Sequence, residues 1–419
     1  MRAAAFLYPW DVAGDPGAAR RVADLGVQQA TLAAAYHSTR ALTPRHPRHR
    51  VVTARHAAVL YPPDTERWAG RALRPYGQDW VAGRDPFGEA ARALADVGLE
   101  VHSWVVLAHN TRLGTEHPAI AVRNAYGDRY PWAPCIARPE VRAYLRDLAA
   151  EAAVRPGARG TELESCGWYG LTHPHAHDKT GGVPLSGAAQ YLMSLCFCEV
   201  CEAGYTALGV PAREVRNAVV RALQPVWAGA EGGGDGEGAC GEVGEGRAGE
   251  WREVGELLGG ELAGLVRRWR EDAARTLQRE AVAAVRAAAD DGFRVLLHAD
   301  PAGHRCGANA GVDPVDVLAH ADGVVVPCTG DDAARTDALV PFAEARTHAA
   351  TSPDTPATPV VAANLTVVTA MGGRPGALAA DAAHAAALGA DELRLYHAGL
   401  AGDGDLAAVR RGLAAVRKR

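Results

Sequence analysis

Three thiols crowd into six residues at Cys196-Phe197-Cys198-Glu199-Val200-Cys201. The spacing is too tight for mutual disulfides without strain and suits the wrapping of one soft cation. A tetrahedral zinc needs a fourth ligand, and the chain offers Cys135, Cys166 or Cys240. The competing reading makes the three thiols buried apolar side chains beside Leu192, Met193 and Leu195. Eight Cys in 419 residues are too few for a disulfide scaffold, so they are read as reduced.

A second chemical signal is the run Glu162-Leu163-Glu164-Ser165, where acidity recurs with a period of two on an otherwise strand-like segment. Carboxylates are out of place on a buried parallel strand unless they point into a functional mouth. Glu164 lies nearer the carboxyl end, where barrel active sites sit. Asp300, in Leu296-Leu297-His298-Ala299-Asp300-Pro301, is the best second carboxylate, and Asp11 is a weaker one. Two carboxyl groups facing one another can divide acid and base roles between them. A salt-bridged strand residue is the plainer reading of Glu164, and a helix cap or loop carboxylate that of Asp300.

Around these groups the sequence sets Tyr8, Trp10, Tyr36, His37, Trp104, His109, Asn110, Trp168, Tyr169, Asn364, Tyr396 and His397 at or just beyond strand ends. With His298, they offer aromatic faces and polar edges of the kind that suit a sugar ring. Several will simply fill the top layer of the core. His173-Pro174-His175-Ala176-His177 follows the fourth strand and brings imidazoles to the same rim. His173 and His175 are expected to contact substrate. Alternatively, the three His converge with His298 and Asp300 on a divalent cation, as in a metal-dependent hydrolase or isomerase.

The pattern of Cys135, then Pro139 with a Val-Arg helix start, a strand ending in Glu, and C-x-C-x2-C resembles the family 42 glycoside hydrolases, β-galactosidase-type (β/α)8 enzymes. The resemblance covers roughly Glu100 to Glu202. It implies that Cys135 completes a structural zinc site with Cys196, Cys198 and Cys201, and that Glu164 is the general acid/base. Those enzymes carry Asn before that Glu, where this chain has Leu163. Their nucleophile is a Glu closing the seventh strand, where this chain has Asn364. A closed four-thiolate site leaves no open position, so its implied role is to pin two loops.

Elements that must position these residues are legible as alternating strand and helix signals. Strands are expected at Ala3 to Tyr8, Gln29 to Tyr36, Glu100 to Ala108, Thr161 to Ser165, Phe293 to Ala299, Gly323 to Pro327, Pro359 to Asn364 and Glu392 to His397. Helices are expected at Asp15 to Leu25, Asp85 to Val97, Pro139 to Val154, Trp251 to Ala289, Pro314 to Ala319, Pro375 to Leu388 and from Asp405 onward. Eight alternating units predict a single (β/α)8 TIM barrel over residues 1–419. Residues 39–84, rich in Pro, Arg and His, form an insertion after the second strand, expected to lie over the carboxyl face. Residues 228–250 hold ten Gly and six acidic residues and are expected to be a flexible loop.

Composition narrows the function classes. A balance of 44 basic against 49 acidic residues, net −5, argues against a nucleic-acid partner. The basic run Arg45 to Arg55 lacks the aromatic ladder of a single-strand binder. Gly232-Gly233-Gly234-Asp235-Gly236 has no preceding strand and no following Lys-Ser/Thr, which excludes a phosphate loop. No apolar run reaches the roughly 20 residues of a membrane span, and the N-terminus lacks a secretory signal, so a cytoplasmic location is expected. The expected function is a glycoside-hydrolase-like enzyme acting on a saccharide or glycoconjugate, with Glu164 as proton donor and Asp300 as partner. The rivals are the metal-dependent enzyme above and a noncatalytic saccharide-binding barrel.

Overall fold

The structure, a computed structural model, describes residues 1–171, 179–180, 182–183, 185–229, 246–349 and 358–417. Eight strands form its centre: β1 (Arg2–Leu7), β2 (Gln29–Tyr36), β3 (Glu100–Val106), β4 (Gly160–Glu164), β5 (Arg294–Asp300), β6 (Gly323–Pro327), β7 (Val360–Thr366) and β8 (Glu392–Tyr396). Each pairs in parallel with the next, and β8 returns to β1 through Arg2↔Glu392 to Ala5↔Leu395. The sheet is therefore a closed (β/α)8 barrel, as the alternation predicts, with all eight expected strands present.

Period-two alternation divides each strand between two environments. Leu163, Val295, Leu297, Leu393 and Leu395 face outward into the main core beneath the helices. Phe6, Tyr8, Trp104 and Val106 belong to a separate cluster at the barrel's carboxyl end, and Leu296, Val325 and Ala362 form a small apolar layer inside.

Residues 39–84 contain an antiparallel hairpin, Thr39–Leu42 with Val51–Ala54. Ala58–Val59 then pairs antiparallel with the end of β2. Ala41, Val52, Ala54 and Leu60 are buried against Tyr8, Trp10, Tyr36 and Trp104, with Trp80 and Val81 packed alongside. The segment covers the carboxyl face over β1 to β3.

Helices fill the outer layer with some departures from the pattern. The stretch read as one helix from Trp251 is two, Gly246–Leu258 and Gly260–Ala288, separated at Gly259, whose φ of 79° is a left-handed conformation that breaks the helical run. Residues 246–250, expected in the flexible loop, form the start of the first of these; 230–245 lie outside the described residues. Asp332–Ala349 is a helix that was not expected, with Pro341 inside it. Between β4 and β5 three more helices occur, Gly187–Met193, Glu199–Ala207 and Ala212–Trp227.

Candidate active site

Glu162 and Glu164 lie on the same inward face of β4, with Leu163 outward between them. Glu162 is fully buried. Its Oε1 accepts from Arg394 Nε at 2.6 Å, Gln29 Nε2 at 3.1 Å and Thr31 Oγ1 at 3.2 Å. Arg394 also donates to Glu392 Oε2 at 2.8 Å, and Glu392 accepts from Arg294 at 3.1 Å. Burial alone would raise the Glu162 carboxyl, but the guanidinium of Arg394, with His298 and His102, holds it well below the usual carboxylate range.

Glu164 closes β4 at the barrel mouth and is 8% exposed. Trp104 Nε1 donates to its Oε2 at 2.8 Å. No guanidinium pairs with it among the described residues, and burial pushes its pKa above the ordinary value, opposed by His298 and by the indole bond. Ser165, directly behind, has φ of 55° and is the only non-Gly residue among those described with a left-handed backbone. Its N–H donates to Ala308 O at 2.8 Å, which anchors the turn.

An aromatic wall stands beside Glu164. Tyr8 OH donates to Tyr36 OH at 3.0 Å, Tyr8 stacks on Trp10 at 4.5 Å and on His397 at 4.2 Å, and Tyr36 meets Trp104 edge-on at 4.7 Å. Burial and neighbouring negative charge, that of Glu164 included, raise the phenol of Tyr36, and burial then Glu164 raise that of Tyr396. These rings stay neutral at ordinary pH. His397 accepts from the Gly399 N–H at 3.1 Å, and burial drives it down to about 3, so it too is uncharged. Asp11 is pushed up by burial to about 7, against the opposing Tyr8 N–H and Arg45. Its carboxyl lies where a Cβ on residue 399 would fall, 1.8 Å away, which requires the glycine there.

Asp300 closes β5 but does not stand free. Arg247 grips it with two bonds, Nε to Oδ1 at 2.8 Å and Nη2 to Oδ2 at 2.9 Å, while the Ala302 N–H also reaches Oδ1 at 2.9 Å. Arg247 begins the helix Gly246–Leu258 and is bonded to Asp337 as well. This arginine sits in a segment read from composition as flexible, and nothing in its local sequence marks its partner.

The remaining predicted contacts separate into groups. His298 is 3% exposed and lies between the two β4 glutamates, Nε2 at 3.7 Å from Glu162 Oε2 and Nδ1 at 4.0 Å from Glu164 Oε2. Asn364, expected to close the seventh strand, lies two residues before the end of β7, with its Oδ1 buried and without a hydrogen-bond partner among the described residues. Asn110 caps the helix Thr111–Glu116 by accepting from the Leu113 N–H, a structural engagement. Trp168 is directed to the helix layer: its indole donates to Arg270 O at 2.9 Å beneath the Arg270 guanidinium. His37 stacks on Tyr36, and His109 packs on Tyr169. His173, His175 and His177 lie outside the described residues. A small cleft beside the mouth is lined by Tyr36, Val106, His109, Asn110, Tyr76 and Tyr144; another is lined by Asp11, Arg21, Arg45, His46 and Gly399. Glu164 lines neither of them.

Cys135, Cys196, Cys198 and Cys201 gather their sulfurs within 4.8 Å of one another, all buried. Cys135 Sγ is 3.7 Å from Cys198 Sγ and 3.6 Å from Cys201 Sγ. These are not disulfide lengths. Four thiolates around zinc at about 2.3 Å stand roughly 3.8 Å from each other, so the donor set fits that ion in number, chemistry and spacing. Cys166 lies apart from this group, its thiol raised by burial to about 12, and Cys240 is outside the described residues.

No protein-family model matches the sequence, and no curated protein matches it. Solved structures share the fold. The α-L-fucosidase isoenzyme 2 from Paenibacillus thiaminolyticus superposes with a TM-score of 0.54 at 12% identity over 100% of this chain and 49% of that one. The catalytic domain of β-amylase from Paenibacillus polymyxa gives 0.54 at 12% identity, covering 100% and 98%. A catalytic mutant of a GH42 β-galactosidase from G. stearothermophilus gives 0.51 at 10% identity, covering 100% and 57%. The chain thus spans about half the length of the fucosidase and somewhat more of the β-galactosidase. It has the (β/α)8 barrel found in these glycoside hydrolases; such identities establish a common fold, not a common reaction.

Proposed function

We propose that the protein is a glycoside hydrolase that cleaves a saccharide or glycoconjugate, with Glu164 as the proton donor. The supporting observation is the placement of Glu164: a carboxyl at the end of β4, raised by burial, bonded to an indole rather than a guanidinium, and flanked by neutral aromatic rings. A general acid must hold its proton near working pH and release it to the leaving oxygen, which a raised carboxyl does. The partly buried Tyr396, backed by Tyr8, Tyr36 and Trp104, offers an aromatic surface for the C–H face of a sugar, and Asn364 offers an amide edge for its hydroxyls.

Asp300 is the proposed partner, acting as nucleophile or as base toward water. Both of its oxygens are engaged by Arg247, so substrate has to compete with that fork or be met by the pair together. The same fork favours a second reading, a barrel that binds saccharide without cleaving it. Glu164→Gln separates the two. Retained sugar binding with hydrolysis lost supports the enzyme; a wild-type protein that binds sugar and hydrolyses none supports the binding barrel; unchanged hydrolysis in the variant removes Glu164 from the chemistry.

Zinc held by Cys135, Cys196, Cys198 and Cys201 is part of the same proposal. Bound there, it would supply cross-linking rather than Lewis acidity, since four protein ligands close its coordination. Cys135 follows the strand Arg129–Pro134 and the other three surround the start of the helix Glu199–Ala207, so the ion would pin the segment after β3 to the segment after β4. Stoichiometric metal analysis tests this: one zinc per chain in the wild type and none in Cys135→Ser is the expected result.

A further inference from the structure

The inward face of β4 and the centre of β5 place three titratable groups in a row: Glu164 at the mouth, His298 behind it, and Glu162 deeper in the barrel. Both outer gaps, 4.0 Å and 3.7 Å, are too long for direct hydrogen bonds, yet within the range over which charges act on each other inside a protein. Glu162 Oε2 and His298 Nε2 are each buried and without a hydrogen-bond partner among the described residues, and they face one another. No other use is visible for either atom.

The surroundings fix which way the chain of charge runs. Glu162 faces Arg394 from β8, Gln29 and Thr31 from β2, and His102 from β3, whose Nδ1 is 3.8 Å away. Among the described residues, His298 faces the two glutamates and, at 5.6 Å, the Phe6 ring of β1; its neighbour on β6 is the apolar Val325. Glu164 faces Trp104 from β3, Tyr36 from β2 and Tyr396 from β8. With Arg394 beside it, Glu162 remains a carboxylate and can only accept, so the imidazole hydrogen belongs on Nε2. In the neutral ring Nδ1 is then a lone pair directed at Glu164. That contact is attractive only while a proton lies on Glu164 or on Nδ1, and repulsive when both lack one.

We propose that His298 is a positioning residue for the mouth carboxyl: with one nitrogen facing the carboxylate of Glu162, it presents the other to Glu164, and the charge on each of these two groups depends on the charge on the other. The inference rests on Glu164 as proton donor, and it assigns to His298 a role behind the donor instead of a contact with substrate. The coupling tunes the pH at which Glu164 holds its proton, and Glu162 with Arg394 supplies the fixed charge against which the imidazole orients.

The indole N–H of Trp104, 2.8 Å from Glu164 Oε2, is a built-in reporter. In a pH titration followed by ¹⁵N–¹H NMR, with the signal assigned by Trp104→Phe, it should move in two steps. In His298→Gln and His298→Asn a single step should remain, higher by about one pH unit because the imidazolium that favours the carboxylate is gone. A Trp104 titration identical in the wild type and both variants overturns the proposal. A flat Trp104 signal in Glu164→Gln assigns the titration to Glu164. Should hydrolysis survive in that variant, the donor reading fails while the coupling to His298 stands.

Discussion

Two glutamates on one strand, separated by a single leucine, meet opposite fates in this barrel. Glu162 and Glu164 point into the same interior about 6.6 Å apart along β4, and burial penalises the charged form of both. Three donors converge on one oxygen of Glu162, one of them a guanidinium, and its pKa falls. Glu164 has an indole and a more distant imidazole, and its pKa rises. Depth therefore does not decide whether a buried carboxyl is a strut or an acid. The cation delivered from the opposite side of the barrel does, and here β8 delivers Arg394 to one level only.

The comparison can be broken most severely at that cation. Arg394→Met leaves Glu162 buried without its guanidinium, while Glu392 keeps Arg294, and denaturant unfolding should register a loss of about 3–5 kcal/mol. Adding Glu162→Leu should restore a large part of it. At the mouth, Glu164→Gln should lower hydrolysis by about 10²–10⁴-fold while unfolding stability stays within about 1 kcal/mol of the wild type. A smaller change sharpens the contrast: Trp104→Phe removes the bond that favours the Glu164 carboxylate, worth about 1.5–3 kcal/mol. The pKa then rises further, and the alkaline limb of the hydrolysis profile should shift to higher pH.

Smallest, and opposite in sign at the two positions, are the contributions to stability against pH. Glu162, depressed in the folded state, contributes stability present above the ordinary carboxylate range and lost as pH falls below it. Glu164, raised in the folded state, contributes stability that is full at acid pH and declines as pH rises from its unfolded to its folded value. Unfolding measured from pH 3 to 8 should show the declining part removed in Glu164→Gln and the acid loss unchanged.

Much of this frame is legible in sequence because local pattern carries it. All eight strands announce themselves as short apolar runs between helix signals, and the acidic alternation at Glu162 and Glu164 marks a strand with carboxyl groups facing inward. The Cys cluster is readable for the same reason: its spacing is a local property, and the structure brings Cys135 to it. What fails is long-range or masked by composition. Arg394 lies 232 residues from Glu162, and nothing around it indicates which carboxyl it meets. Arg247 is hidden at the edge of a Gly-rich acidic stretch, so the grip on Asp300 is invisible before folding. Asp332–Ala349 escapes because Pro341 interrupts the signal that would declare a helix.

The left-handed turn at Ser165 has a consequence for how such a barrel can vary. A residue there swings the chain off the strand axis immediately behind the donor, and the anchoring bond to Ala308 ties that swivel to the loop after β5. Changes of length or sequence farther along the rim can alter which molecules gain entry while the bearing of Glu164 stays with the strand. Aim and admission are thus written on separate stretches of chain.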